Sequence, residues 1–180
     1  MISISEEEAD GFMSFCSRKS FKKKTLLSDD DQFINEVYFL ERGMLRVKIL
    51  DVEGREHTTH FAIENQFIAD YNAFLTQKRS SYQLEALEDT EVVVLPRAAI
   101  EWGYTNLREG EKLGRLIAEY YFIYLDTRIQ HLYTLSPFER YNLMSEIFPN
   151  IHNRVPQHMI ASYLGITPIH LSRIKRQSKN

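Results

Sequence analysis

Apolar and polar positions alternate with a period of two through the first half of the chain and with a helical period through the second. Residues about 5 to 17 predict a short helix. Glu6, Glu7 and Glu8 lie in its first turn, where the helix dipole favours negative charge, and Phe12 and Phe15 follow. From about 20 to 96 the pattern is that of short strands. Val37-Tyr38-Phe39-Leu40 runs into a turn at Glu41-Arg42-Gly43, and side-chain type alternates from Leu45 to Leu50. Asp51-Val52-Glu53-Gly54 turns the chain and Arg55 to Ala62 returns. Ser81 to Leu87 and Glu91 to Leu95 read as a further pair joined by Glu88-Asp89-Thr90. Several short strands at regular spacing predict an antiparallel roll or barrel.

After Pro96 the period changes. Glu109 to about Tyr133 contains no proline, and Leu113, Ile117, Tyr120 and Tyr124 recur on one face. Leu116, Ile123, Ile129 and Leu132 form a second stripe. A helix apolar on two sides needs two partners, here the strand domain and the same helix of a second copy. Leu113, Ile117, Tyr120 and Tyr124 are the expected dimer contact; a core helix buried in one chain is the alternative. Ser136-Pro137-Phe138-Glu139 opens another helix with a capping box, ending near Phe148.

The segment from Val155 to Arg176 reads as two short helices and a tight turn. Ile160 and Leu164 share one face of the first helix, with Ala161 at the predicted crossing point. Gly165 sits at the turn, where a left-handed backbone costs glycine little. Ile166, Leu171 and Ile174 face back, Thr167 can cap the second helix, and Pro168 suits its first turn. This is a helix-turn-helix, whose second helix enters the major groove of DNA. An ordinary helical hairpin is the bland alternative.

Charge sharpens that reading. Residues 151–180 hold five Lys or Arg (Arg154, Arg173, Lys175, Arg176, Lys179) and no Asp or Glu, whereas residues 1–150 hold 17 basic and 25 acidic residues. A cationic end on an acidic body suits phosphate contact by one end only. Pro168, Ile169, His170 and Arg173 are expected at base edges, with Arg173 placed for a bidentate contact to guanine. Gln157, His158, Thr167, Ser172, Lys175 and Arg176 are expected at the phosphates. The single cysteine, Cys16, excludes an internal disulfide, and no apolar run is long enough to span a bilayer. The expected setting is cytoplasmic, with no membrane partner.

Strands, then a long helix, then a terminal helix-turn-helix make the chain resemble the Crp/Fnr family of bacterial transcription regulators, in a subgroup of Bacteroidetes type. The resemblance is carried by Glu41-Arg42-Gly43-Met44-Leu45-Arg46-Val47 and by Gln157 to Arg176. It implies an α+β fold: an antiparallel β roll of the cyclic-nucleotide-binding type over 1–104, a dimerisation helix over 105–135, and a helix-turn-helix domain over 136–180. It further implies a homodimer reading a palindromic site through helix 168–177, with RNA polymerase as a partner and a small effector in the roll.

Two departures stand out. In cyclic AMP-binding members a Gly-Glu pair serves the ribose and an Arg-Ser pair the phosphate. Here Ala69 and Asp70 stand at the first pair, and Lys78-Arg79-Ser80-Ser81 leaves open whether Arg79 or Ser80 takes the phosphate position. Asp70, Asn72, Arg79, Ser80 and Ser81 are the candidate ligand residues. Cyclic AMP is not expected, and no other cofactor is indicated. No wing is expected after the recognition helix.

His57 and His60 are three apart on a strand, so they point to opposite faces and cannot share a metal; no metal site is expected. Tyr120-Tyr121-Phe122-Tyr124 could line a pocket beneath the roll or serve as core or interface. No nucleophile-base pair is recognisable, so an enzyme is not expected. The competing classes are a ligand-independent DNA-binding dimer with a scaffold roll, and a β-barrel carrier or enzyme that does not bind DNA.

Overall fold

A computed structural model describes residues 3–177. The elements run α1 (Glu6–Met13), β1 (Ser17–Phe21), β2 (Leu26–Ser28), β3 (Glu36–Arg42), β4 (Leu45–Leu50), β5 (Glu56–Ala62), β6 (Phe67–Ile68), α2 (Tyr71–Thr76), β7 (Gln83–Ala86) and β8 (Thr90–Pro96). Helices follow: α3 (Arg97–Asn106), α4 (Gly110–Thr134), α5 (Pro137–Ile147), α6 (Ile151–Arg154), α7 (Gln157–Leu164) and α8 (Pro168–Gln177). The fold is α+β, with the strands in two four-stranded antiparallel sheets, ordered β1-β8-β3-β6 and β2-β7-β4-β5. Leu40, Leu45, Ala62, Leu84, Ala86 and Val92 meet in a closely packed interior, all 0–2 % exposed. An apolar face shielded in this way holds a roll together.

The β4–β5 hairpin forms as the alternation predicts, with Leu45 opposite Ala62. The expected pairing of the last two strands does not. β7 pairs with β4 and β2, and β8 pairs with β3 and β1, so Glu88 and Asp89 carry the chain from one sheet to the other. Alternation fixes which face of a strand is buried but not which neighbour it joins. The first helix ends at Met13, earlier than its pattern suggested, because Ser17–Phe21 is taken up by β8.

Helix α4 turns one face to its own chain. Gly110 lies where a Cβ would collide with the Gly103 carbonyl, and a Cβ on Gly114 would meet the Tyr104 ring, so glycine permits the close approach of α3 and α4. Tyr121 donates to the Phe67 carbonyl, and Tyr124 lies against His60. Leu113, Ile117 and Tyr124, three of the four residues expected at a dimer contact, are half-buried within the single chain. Of those four, Tyr120 alone is exposed, at 56 %. The outward positions include Leu116, Ile123 and Ile129 of the second stripe.

The terminal helices do not stand apart from the roll. Met44, Phe61 and Leu87 of the roll share one core with Phe148, Ile151, Ile160, Tyr163 and Leu171. Helix α7 lies along β5, and the Thr58 amide donates to Ser162 Oγ at 2.8 Å. Among the described residues no helix is long and apolar enough to cross a membrane.

Candidate nucleic-acid interface

The turn between α7 and α8 is closed as the sequence requires. Gly165 takes φ +68°, and the Ile166 amide donates back to the Ala161 carbonyl at 3.0 Å. Ala161 is fully buried between the two helices. Thr167 Oγ1 accepts from the His170 amide at 3.2 Å and so caps α8. Leu171 and Ile174 are 0 % and 2 % exposed and hold α8 against α5 and α7.

Burying those two positions turns the rest of α8 outward. Pro168, Ile169, His170 and Arg173 are all exposed, Ile169 to 69 %. Ser172 and Arg176 flank them, and Lys175 is half-buried. Gln157 and His158 are exposed at the start of α7, and Thr167 at the start of α8. The base-edge and phosphate candidates therefore lie on adjoining solvent faces of two consecutive helices. Lys179 lies outside the described residues.

Arg154 is the exception within the basic end. Its Nη2 donates to Glu64 Oε1 at 2.7 Å and to the Gly43 carbonyl at 2.8 Å, and it also pairs with Glu88. It is committed to the roll rather than to solvent. Burial would raise the pKa of Glu64, but Arg154 and backbone donors outweigh it and hold the carboxyl below its ordinary value. Neighbouring sequence gave no sign of this contact, because Glu64 is 90 residues away.

A second polar chain crosses the same junction. His60 Nδ1 lies 3.0 Å from the Tyr124 hydroxyl, which lies 3.0 Å from the Tyr163 hydroxyl of α7. Arg128 stacks over the Tyr163 ring and donates to its carbonyl. Burial, reinforced by the Arg128 charge, pushes the His60 pKa down to about 4, so its imidazole is neutral near pH 7. His57 points away to Asp51 at 2.8 Å, so the two histidines part company as their spacing requires.

The ligand candidates of the roll divide into two groups. Asp70 and Ser80 are buried and come together: Asp70 Oδ1 accepts from the Ala73 amide at 3.0 Å, and Oδ2 accepts from Ser80 Oγ at 2.7 Å. Asn72, Arg79 and Ser81 are exposed. Arg79 reaches outward to Asp31, with its guanidinium over the Phe33 ring. The helix start and the Ser80 hydroxyl, both suited to an anion, already hold the chain's own carboxylate.

Residues 18–104 match the cyclic nucleotide-binding domain family. No curated protein sequence matches the chain. Among solved structures, FixK2 from Bradyrhizobium japonicum superimposes with a TM-score of 0.75 at 17 % identity, covering 90 % of this chain and 83 % of that one. A structure from Eubacterium rectale described as a transcriptional regulator of the Crp/Fnr family gives 0.74 at 17 % identity, covering 98 % and 84 %. The c-di-GMP-responsive global regulator CLP from Xanthomonas campestris gives 0.71 at 11 % identity, covering 95 % and 90 %.

Proposed function

We propose that this chain, which carries a cyclic nucleotide-binding domain and has the fold of Crp/Fnr regulators, is a DNA-binding transcription regulator. It acts as a homodimer and reads a palindromic site through α8. The observation that carries this is the two-sidedness of α8. Leu171 and Ile174 anchor it, which leaves Ile169, His170 and Arg173 free on the side facing away from the protein. Arg173 contacts guanine, Ile169 meets a thymine methyl, and the starts of α7 and α8 hold phosphates. RNA polymerase is the expected protein partner.

Cyclic AMP is not its effector in this reading. The phosphate of a cyclic nucleotide would have to displace the Asp70 carboxylate from Ser80 and from the start of α2, and exposed Arg79 supplies no charge inward. Calorimetric titration with cyclic AMP should show no heat of binding.

The DNA reading is tested with Arg173→Ala at fixed salt, on a site selected from random sequence and on random DNA. The variant should lose about 1–3 kcal/mol on the selected site and little on random DNA. Equal loss on both would remove Arg173 from base recognition, and no binding by the native chain would remove the function.

A further inference from the structure

A run of lysines follows β1. The strand carries Arg18 and Lys19, and Lys22, Lys23 and Lys24 come next, in the turn to β2. β1 is an edge strand of its sheet, and basic side chains on an edge ordinarily guard it against pairing with another chain. Arg18 and Lys19 fit that role and pair with Glu41 and Glu36. The three lysines lie past the end of the strand, so edge protection does not account for them. All three are exposed. Lys22 pairs with Asp89 while its side chain stays 87 % exposed, and Lys23 and Lys24 pair with no carboxylate among the described residues.

The turn that presents them is fixed. The Thr25 amide donates to the Lys22 carbonyl at 3.0 Å, the Lys23 amide to Asp89 Oδ1 at 3.0 Å, and the Lys24 amide to the Ala86 carbonyl at 2.7 Å. Lys24 takes φ +70°, a left-handed conformation that a residue with a side chain seldom adopts. Three cations held side by side repel one another, and an anion lying across them relieves that repulsion. The body around them is acidic, with 25 Asp or Glu against 17 Lys or Arg over residues 1–150, so the patch is local.

Its place selects the anion. Ala86 and Asp89, which anchor the turn, flank Leu87 and Glu88. Leu87 belongs to the core shared with Phe148 and Ile151, and Glu88 pairs with Arg154. The lysines therefore stand at the end of the roll that carries the terminal helices. Arg154 is three residues ahead of Gln157, where α7 begins and where the DNA-binding reading above, on which this step rests, puts a phosphate. A duplex seated there carries its phosphates onward past the bases that α8 reads. A lysine ammonium on its long stem meets such a phosphate as a point charge, without reading a base. We propose that Lys22, Lys23 and Lys24 form a second DNA contact, holding phosphates that flank the recognised site.

Duplex length is the test. The native chain is titrated with a selected site cut to its palindrome, and with the same site extended by about one helical turn of random sequence on each side. At fixed low salt the longer duplex should bind about tenfold more tightly, and its log affinity should fall more steeply with log salt by about 0.9 for each lysine engaged. Lys23→Gln combined with Lys24→Gln should bind the short duplex as the native chain does and lose most of the gain from the flanks. Arg18→Gln combined with Lys19→Gln removes the same charge from the strand and should keep that gain. A native chain indifferent to flank length, a lysine variant that keeps the full gain, or a strand variant that loses as much as the lysine variant overturns the contact. The two duplexes are compared on the native chain, so the test stands even if a variant fails to fold. A native chain that binds neither duplex removes the proposed function itself, and this contact with it.

Discussion

His60 shows how one side chain ties burial to pH. In the unfolded chain an imidazole takes up a proton near pH 6.5, whereas here burial and Arg128 hold that step down to about 4. Between those values the unfolded chain binds a proton that the folded chain refuses, so stability falls as pH drops through the window and loses nothing further at this residue below about pH 4. The loss attributable to His60 is on the order of 3 kcal/mol over that range. Denaturant unfolding at pH 7, 5.5 and 4 should show it, and His60→Phe should flatten the slope over this interval. A slope unchanged in the variant would assign the titration elsewhere. The strand spacing of His57 and His60 showed that the two part, but not that His60 meets Tyr124 and Tyr163, 64 and 103 residues further along the chain. Asp70 and Ser80 are similar: both were visible as candidates, while their mutual hydrogen bond depends on how α2 and β7 close together.

At the level of elements, local chemistry was the readable part. The capping box at Ser136 and Glu139 forms in both directions, and Thr167 caps α8. The α7–α8 turn depends on Gly165 at φ +68°, where an added Cβ would find only ordinary contact with Leu132 at 3.6 Å. The cost of Gly165→Ala is therefore backbone strain rather than collision, about 1–2 kcal/mol. Thermal unfolding should register that loss, with α8 less protected from amide exchange. A fully stable variant would mean that the turn relaxes out of the left-handed region. What the pattern could not supply was partnership between elements. β7 and β8 are adjacent in sequence yet belong to different sheets, and Tyr124, whose period marked it for a second copy, also meets His60 of the roll in its own chain. Periodicity gives the faces of an element; the shape of its neighbours decides which face each one covers.

For the whole molecule, the shared core is the governing fact. Phe61 packs against Phe148 and Tyr163 with ring centroids 5.9 and 5.2 Å apart, so roll and terminal helices bury one another's apolar surface. Arg154 adds its contacts to Glu64 and Glu88 across the same seam. Helix α8 is thus held at a set place relative to α4, and in the proposed homodimer the arrangement of two copies of α8 would depend on how two copies of α4 meet. The outer side of α4 is suited to that meeting. Leu116, Tyr120 and Ile123 follow at helical spacing and are 40 %, 56 % and 62 % exposed, a continuous apolar stripe of the kind that marks an interface. A charge at its centre should separate the copies without disturbing the inner face, so Ile123→Glu should sediment as a monomer where the native chain sediments as a dimer. Far-ultraviolet circular dichroism should stay unchanged, because Ile123 is largely exposed in its own chain. Dimeric binding makes the second half-site contact intramolecular, so the monomer should bind a palindromic site at least tenfold more weakly and bind an isolated half-site as the native chain does. A native chain that sediments as a monomer would remove the dimer, and a variant that stays dimeric would move the dimer contact off this stripe.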